Sequence, residues 1–239
     1  MAYSIITYND GDNATTRVNE ITTILAEYDP DLFGLQETQE IHMPQYAAAL
    51  PAYDYVYFDN DGTTYNSQPI FFKREKFELL ESGIKWLSDT PDVRSRFPES
   101  AYTRSFTYAL LRDKATEKRF LMANTHIDYT AAGNPKQVAR LVELTREMYP
   151  DVPAFYTADW NMYRTSEGYA ILEQNGMIAT EEFVENAVKA PSFEGGTTID
   201  FCFVDRRFFK GTAYHVIDDH KYSKTASDHF PVYTEIEFI

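Results

Sequence analysis

The chain has 239 residues, of which 44% are hydrophobic and 15% aromatic, and this composition excludes a disordered or low-complexity protein. Its single cysteine, Cys202, excludes an internal disulfide framework and a cysteine zinc cluster. The formal net charge of −15 comes from 22 basic and 37 acidic residues. Such a charge disfavours tight binding of nucleic acid, since the average field repels a polyanion.

The beginning of the sequence has no basic segment followed by an apolar stretch of signal-peptide length. No apolar run reaches the roughly 20 residues of a membrane span. We therefore expect a cytoplasmic protein without a membrane span, or a secreted one if a signal peptide has been removed. We also expect a monomer. No repeat or flexible linker divides the sequence, which predicts a single domain over residues 1–239.

The first half of the chain alternates predicted strands and helices. Residues 4–8 indicate a buried strand, and Val18, Ile21 and Leu25 follow the spacing of a helix that Asp29-Pro30 ends. Further strands are predicted at 32–35, 53–58, 69–73 and 77–86, with a polar loop at 59–66.

The second half repeats this rhythm. A strand pair is predicted at 105–112 and 119–126, followed by a helix with Val138 and Leu141 on one face that ends near Pro150. A strand at 154–158, a helix at 166–174, an alternating strand near 199–204 and final strands around His215 and at 231–238 complete the pattern. The alternation predicts an α/β fold with sheets covered by helices.

Polar side chains stand at the ends of these strands. They are Asn9, Glu37, Asn124, His126, Asp159, Asn161, Asp200, Asp228 and His229. Each alone is more often a turn former, a helix cap or a hydrogen-bonded structural residue. Because ligands collect at one end of the strands in α/β sheets, together these residues predict a site for a hard cation and a phosphate. A buried Asp200 also needs a partner, for which a histidine is the obvious candidate.

Six segments carry a family resemblance over essentially the whole chain: ITYN (6–9), DLFGLQE (31–37), NTHID (124–128), ADWN (158–161), IDF (199–201) and SDH (227–229). The chain resembles the endonuclease/exonuclease/phosphatase superfamily, which includes the DNase I-like nucleases. PIFFK (69–73) and WLSDTP (86–91) resemble a bacterial branch of it. The resemblance implies a four-layer α/β sandwich, two packed mixed β-sheets flanked by helices, with the active site at one rim.

The resemblance also implies a metal-dependent phosphoester hydrolase. Glu37 would be the main ligand of Mg²⁺, for which Mn²⁺ can substitute. Asn9 and Asp228 would hold the metal, its waters or a neighbouring ligand. The metal would neutralise part of the phosphate charge during attack by water.

For catalysis, the resemblance implies that Asp159 and Asn161 orient the attacking water and contact the phosphate. His229 would be hydrogen-bonded by Asp200, and His126 would face the phosphate from another side. Both Asp159 and His229 are candidates for the general base.

Four further features bear on the substrate and the metal. Arg104 and Asn124 are candidates for substrate contact, Arg104 because a guanidinium suits bidentate binding of phosphate. Gln68 stands near the place where many family members have a glutamate, which makes a second metal less expected. Trp160 is expected to pack beneath the site. Aromatic residues that could line a cleft are Tyr65, Trp86, Phe97, Tyr102, Tyr129 and Tyr163.

Three functions compete. The acidic charge favours hydrolysis of a small or flexible phosphoester. A DNA or RNA nuclease would need a local basic rim, for which the candidates are Lys85, Arg94, Arg96, Arg104, Lys136 and Arg140. A catalytically inactive binding module is the third hypothesis, but it predicts loss of catalytic residues that this chain retains.

Overall fold

Two six-stranded β-sheets packed face to face form the centre of the molecule. The computed structural model describes residues 2–11, 17–59 and 67–239. Its strands are β1 (Ala2–Asn9), β2 (Leu32–Gln36), β3 (Tyr53–Val56), β4 (Ile70–Lys73), β5 (Phe77–Trp86), β6 (Ser105–Asp113), β7 (Arg119–His126), β8 (Ala154–Asp159), β9 (Met177–Ala179), β10 (Asp200–Asp205), β11 (Phe209–Val216) and β12 (Val232–Phe238). Its helices are α1 (Val18–Tyr28), α2 (Met43–Ala49), α3 (Gly133–Met148) and α4 (Glu167–Gln174).

Both sheets are mixed. The first has the strand order β11-β12-β1-β2-β4-β3, and the second β5-β6-β7-β8-β10-β9. Strands β1 and β2 run parallel in the first sheet, as do β7 and β8 in the second, whereas the other described neighbours are antiparallel. Parallel neighbours need a crossover connection, which α1 and α3 provide. Asn9 at the end of β1 donates a hydrogen bond to Asp159 at the end of β8, so the carboxyl ends of these four strands lie at one rim of the molecule.

Strand β1 illustrates why four layers form. Ile5 packs in the cluster between the sheets with Phe155, whereas Ile6 packs with Phe33 beneath α1 and α2. Successive side chains of a strand point to opposite faces, so a strand that is apolar on both needs cover on both. Helices α3 and α4 cover the second sheet through residues such as Val138 and Leu172. The result is the four-layer α/β sandwich that the sequence resemblance implies. Among the described helices none is long and apolar enough to cross a membrane.

Most predicted elements are confirmed, and β5 and β7 have the predicted bounds. The strand predicted at 53–58 ends at Val56. Helix α2 and strand β9 were not predicted. Helix α2 has seven residues, too few for a clear period, and β9 has three that depend on pairing with β10. Most of the predicted loop at 59–66, including Tyr65, lies outside the described residues.

A polar bridge joins the two sheets between β2 and β7. Asn124 Nδ2 donates to the carbonyl oxygens of Leu35 (2.7 Å) and Pro69 (2.9 Å). Its Oδ1 accepts from Gln36 Nε2 (2.7 Å) and Thr157 Oγ1 (3.0 Å). The side chain is fully buried, and these four bonds use all of its hydrogen-bonding capacity. Asn124 therefore holds the sheets together and has no group left for a substrate, contrary to the expected contact.

Glycine at position 34 makes room for this bridge. A Cβ there would lie 2.4 Å from Thr157 Oγ1 and 2.5 Å from Asn124 Cγ. We predict that Gly34→Ala lowers the free energy of unfolding by about 1–3 kcal/mol, because overpacking forces buried groups apart. Urea unfolding measures the effect. Gly83→Ala is the control, since the atoms nearest to its Cβ would be the far end of the Tyr108 side chain. Equal costs for both variants would contradict this role of Gly34.

Candidate active site

Four of the expected site residues come from the two parallel strand pairs. Asn9 ends β1, Glu37 directly follows β2, His126 ends β7 and Asp159 ends β8. Because parallel neighbours finish at the same edge, the two pairs deliver these side chains to one rim. His126 Nε2 lies 3.4 Å from Asp159 Oδ2, and His126 Nδ1 lies 3.7 Å from Glu37 Oε1. The rim thus joins residues that are far apart in the sequence.

Strand β10 brings a second carboxylate to the same rim. Asp200 begins β10 and pairs in register with Asp159 of the antiparallel neighbour β8. Its Oδ2 lies 2.9 Å from Nδ1 of His229, the expected histidine, and accepts a 2.7 Å hydrogen bond from Ser192 Oγ. The Nε2 atom of His229 lies 3.7 Å from Asp159 Oδ2. His229 therefore stands between the two carboxylates.

The two carboxylates determine the charge of His229. Burial opposes protonation of the imidazole, but the charge and hydrogen bond of Asp200, with the charges of Asp159 and Asp228, outweigh it and raise the pKa of His229 to about 10. The group is thus an imidazolium at neutral pH in the metal-free protein, with Nδ1–H donating to Asp200. Its Nε2–H is directed towards the Asp159 side of the site.

Asp159 is held by amide donors. Asn9 Nδ2 donates to its Oδ2 (2.9 Å), and the backbone N–H of Asn161 donates to its Oδ1 (2.9 Å). Burial and the charge of Asp200 raise the pKa of Asp159 above its usual range, although these donors oppose the rise. A buried carboxylate with a raised pKa is better able to take a proton near neutral pH than an exposed one.

His126 differs from His229 in its protonation. Its Nε2 faces two donors, Asn161 Nδ2 at 2.9 Å and an Arg104 guanidinium nitrogen at 3.2 Å. Burial, with the charges of Arg104 and His229, holds the pKa of His126 well below its usual range. We therefore assign a neutral ring with Nε2 as acceptor and the proton on Nδ1, on the side of Glu37.

Two non-glycine residues at the rim have left-handed backbone conformations. Glu37 has φ 62° and Asn161 has φ 47°. Asparagine tolerates this region, but glutamate rarely adopts it. Such conformations persist where the surroundings impose them, and they cluster at functional sites. At Glu37 the turn away from β2 leaves the side chain 28% exposed at the rim.

The donor set on this side fits a hard cation. Glu37 and Asp228 supply carboxylates, Asn9 supplies an amide that also hydrogen-bonds Glu37, and the charge of Asp228 acts on Glu37. Burial raises the pKa of Glu37, and a cation would relieve this cost of a buried charge. Mg²⁺ needs few protein ligands because it keeps several waters.

Another group also has the spacing of metal ligands. One ligand atom from each of Asp159, Asp200 and His229 can be chosen so that all lie within 4.8 Å of one another. However, Asp200 Oδ2 already accepts from Ser192 and His229, and His229 Nδ1 is used in that bond. This group is better explained as a charge-paired acid–base cluster, and the Glu37 side remains the better cation site.

Arg104 adds a second buried cation to the site, beside the His229 imidazolium. Only 6% of the residue is exposed, and the charges of Asp159, Glu37 and Asp128 favour its ionised form while burial lowers its pKa. Its guanidinium lies 5.0 Å from the centre of the Tyr102 ring. The structure thus brings the expected arginine to the site. Gln68, also buried, accepts a 3.3 Å hydrogen bond from Ser105.

Three residues for which the sequence predicted no role support the site. Ser192 binds Asp200 and also accepts from its backbone N–H (3.1 Å). Ser227 donates to the carbonyl oxygen of Asn9 (2.7 Å), and the Phe193 ring centre lies 4.9 Å from that of His229. They lie in or beside irregular segments without hydrophobic periodicity. No sequence signal marked Ser192 or Phe193, and Ser227 was noted only as part of the SDH (227–229) segment. Trp160 is fully buried and donates to the Phe201 carbonyl (2.9 Å), which confirms its packing role.

The cations expected to form a basic rim are largely paired. Lys85 pairs with Asp92, Lys136 with Glu99 at 2.5 Å, and Arg140 with Glu143 at 2.6 Å. The Arg96 guanidinium donates to the Ala101 carbonyl. Carboxylates therefore cancel much of the positive charge that a nucleic-acid backbone would meet here.

The Asp200–His229 pair generates a pH prediction. Because the folded-state pKa of His229 is raised, the pair's contribution to stability is complete below the ordinary histidine pKa of about 6.5 and is lost as the pH rises through about 10. Asp200→Asn removes the negative charge that counteracts the effect of burial on His229, so this substitution should lower the pKa of His229. Histidine ring NMR titrations of the metal-free protein in EDTA measure it. An unchanged pKa in the variant would contradict the assigned pairing.

Comparison with known proteins identifies the family and supports the fold. The model of the endonuclease/exonuclease/phosphatase family matches residues 7–229. A mannosyl-6-phosphatase from Bacteroides thetaiotaomicron is 26% identical, with a TM-score of 0.85 over 99% of both chains. A family protein from Bacteroides vulgatus is 22% identical, with a TM-score of 0.90 over 100% of both chains.

A curated relative is an uncharacterised protein of Acanthamoeba polyphaga mimivirus, 25% identical over 151 residues. The match covers 59% of this chain and 56% of that protein, so this chain spans little more than half its length. The family model, by contrast, covers nearly the whole chain and all the candidate site residues from Asn9 to His229. The chain belongs to the endonuclease/exonuclease/phosphatase family of phosphoester hydrolases.

Proposed function

We propose that this protein is a Mg²⁺-dependent hydrolase of a small or flexible phosphoester, with water as the attacking group. The observation that carries the proposal is the convergence at one rim of a cation site, a buried Asp–His pair and a buried arginine. Glu37, His229 and Arg104 represent these three parts. Each alone has a structural explanation, but together they match what phosphoryl transfer requires.

Glu37, Asn9 and Asp228 would hold the cation. When bound, Mg²⁺ supplies neutralisation of the charge on the phosphoryl oxygens. Mn²⁺ has similar ligand preferences and is expected to substitute. The carboxylates of this side repel one another in the metal-free protein, which supports the need for a cation.

The remaining residues divide the acid–base work. Asp159, with its raised pKa, is placed to orient water and accept its proton. His229, kept charged by Asp200, donates a hydrogen bond to a phosphoryl oxygen. Arg104 and Asn161 would bind the phosphate from the side of His126, Asn161 by redirecting the Nδ2–H that faces His126 Nε2 while its other Nδ2–H stays on the Ile127 carbonyl. We favour Asp159 as the base, because His229 has no free lone pair while it is protonated.

Several observations favour a small substrate over a nucleic acid. The net charge is −15, and three of the candidate rim cations, Lys85, Lys136 and Arg140, are paired with carboxylates. The similar Bacteroides thetaiotaomicron structure is that of a mannosyl-6-phosphatase. An inactive binding module is disfavoured, since the catalytic set is intact.

The metal role of Glu37 can be tested by substitution. Glu37→Gln should weaken Mn²⁺ binding at least about tenfold and abolish hydrolysis, because a neutral amide replaces a charged ligand. Calorimetry measures binding and circular dichroism monitors folding. The matched control is Glu40→Gln, an exposed carboxylate three residues away that should behave as wild type. Normal metal affinity in Glu37→Gln would show that the cation binds elsewhere.

The role of His229 is tested by turnover. His229→Ala should reduce kcat by about 10²–10⁴-fold, the usual contribution of a positioned acid–base group. Steady-state hydrolysis at saturating Mg²⁺ measures it. His215→Ala removes a histidine whose side chain is 46% exposed and serves as the control. A near-normal kcat would remove His229 from the catalytic set.

A further inference from the structure

A cleft of about 360 Å³ opens beside the phosphate-binding groups. One wall is the loop between β7 and α3, with Tyr129, and the other is the loop between β8 and α4, with Tyr163. Asn161 also lines the cleft and contacts His126 Nε2 at 2.9 Å. A group attached to the bound phosphate on this side would therefore enter the cleft.

The walls of the cleft present aromatic faces. Tyr129 is 59% exposed and Tyr163 is 57% exposed. Tyr102, 48% exposed, packs edge-on against Tyr129 with 5.8 Å between ring centres and also contacts Arg104. Solvent-exposed rings next to a catalytic centre are well suited to pack against the C–H face of a ligand ring.

The polar groups of the cleft fit hydroxyl groups. Within the described part of the chain, the Tyr129 and Tyr163 hydroxyls and the Glu167 carboxylate make no hydrogen bond. Ser166 Oγ accepts from the Tyr163 backbone N–H (3.0 Å) and keeps its own proton to donate. A carboxylate can accept hydrogen bonds from two hydroxyl groups at once, whereas the other three groups can donate hydrogen bonds as well as accept them.

The charge and the size of the cleft limit the ligands that it can bind. The lining residues include Glu167, and none of them is a lysine or an arginine. A second phosphate would thus meet a carboxylate without a compensating cation. The volume lies near the lower end of the range for small-molecule sites, about 300–1,000 Å³, which suits a single ring.

We propose that this cleft binds the leaving group of the substrate as a neutral polyhydroxylated ring, so that the enzyme acts on sugar phosphates. This inference rests on the proposed function, since it assumes that the phosphate sits among Arg104, Asn161 and His229. Tyr129 and Tyr163 then determine specificity by packing against the ring. Glu167 contributes by accepting hydrogen bonds from the hydroxyl groups of the ring. Contacts between the cleft and the ring accelerate hydrolysis to the extent that they are stronger in the transition state than in the bound substrate.

The test compares two phosphate esters of primary alcohols, hexose 6-phosphate and ethyl phosphate. The ethanol released from ethyl phosphate is too small to fill the cleft. Wild type should have a much higher kcat/KM for the hexose ester. Tyr129→Ala and Tyr163→Ala should each lower kcat/KM for that ester by about 5- to 10-fold and leave ethyl phosphate within about twofold. Tyr→Phe variants at both positions should retain most of the effect of the ring.

Glu167→Gln should also act on the hexose ester alone. Glu173→Gln, on the exposed face of the same helix, makes the same change in charge and should have no effect. Equal losses on both esters, or no preference for the hexose ester, would overturn the inference. A preference for nucleoside 5′-monophosphates over hexose 6-phosphate would overturn it too, since it would assign the rings to a nucleobase.

A binding measurement separates this inference from the proposed function. Saturation-transfer NMR of hexose 6-phosphate should show transfer to the sugar ring protons in wild type and not in the Tyr129→Ala/Tyr163→Ala double variant. If wild type hydrolysed no phosphoester but showed this transfer, the proposed function would fail and the sugar cleft would stand. If wild type hydrolysed a phosphoester but showed no transfer to the sugar ring protons, the proposed function would stand and the sugar cleft would be overturned.

Discussion

The repulsion between two buried carboxylates is the constraint on which the site depends. Asp159 and Asp200 face each other in register on neighbouring strands, and both are almost inaccessible to solvent. Burying one unpaired charge is costly, and burying two beside each other is more so. His229 offsets this cost by lying between them as an imidazolium, and Asn9 and the Asn161 backbone add donors to Asp159.

The same constraint links the fold to the chemistry. The parallel pairs β1–β2 and β7–β8 bring Asn9, Glu37, His126 and Asp159 to one rim, and antiparallel β10 begins there with Asp200. Asn124 joins the two sheets just beneath this rim. A small shift between the sheets would move Asn9 and Glu37 away from His126 and Asp159. The buried polar bridge therefore helps to preserve the distances between these side chains.

Much of the fold could be predicted because strands buried on both faces leave continuous apolar runs, as in β1 and β2. Helix α2 and strand β9 were missed because their seven and three residues depend on tertiary contacts more than on local pattern. The position of site residues at strand ends was readable, since chain order and strand direction place them at one edge. The inward orientation of Asn124 and the support from Ser192 were not readable, because both depend on distant segments meeting in space.

The central claim is that this rim is a metal-dependent hydrolytic centre, and the most direct measurement of it is hydrolysis of small chromogenic phosphoesters. Bis-p-nitrophenyl phosphate and p-nitrophenyl phosphate are incubated with the protein in Mg²⁺, in excess EDTA, and after Mg²⁺ is restored. The account predicts release of nitrophenol from at least one ester in Mg²⁺, its loss in EDTA, and its recovery on readdition. Equal rates in Mg²⁺ and EDTA would contradict it.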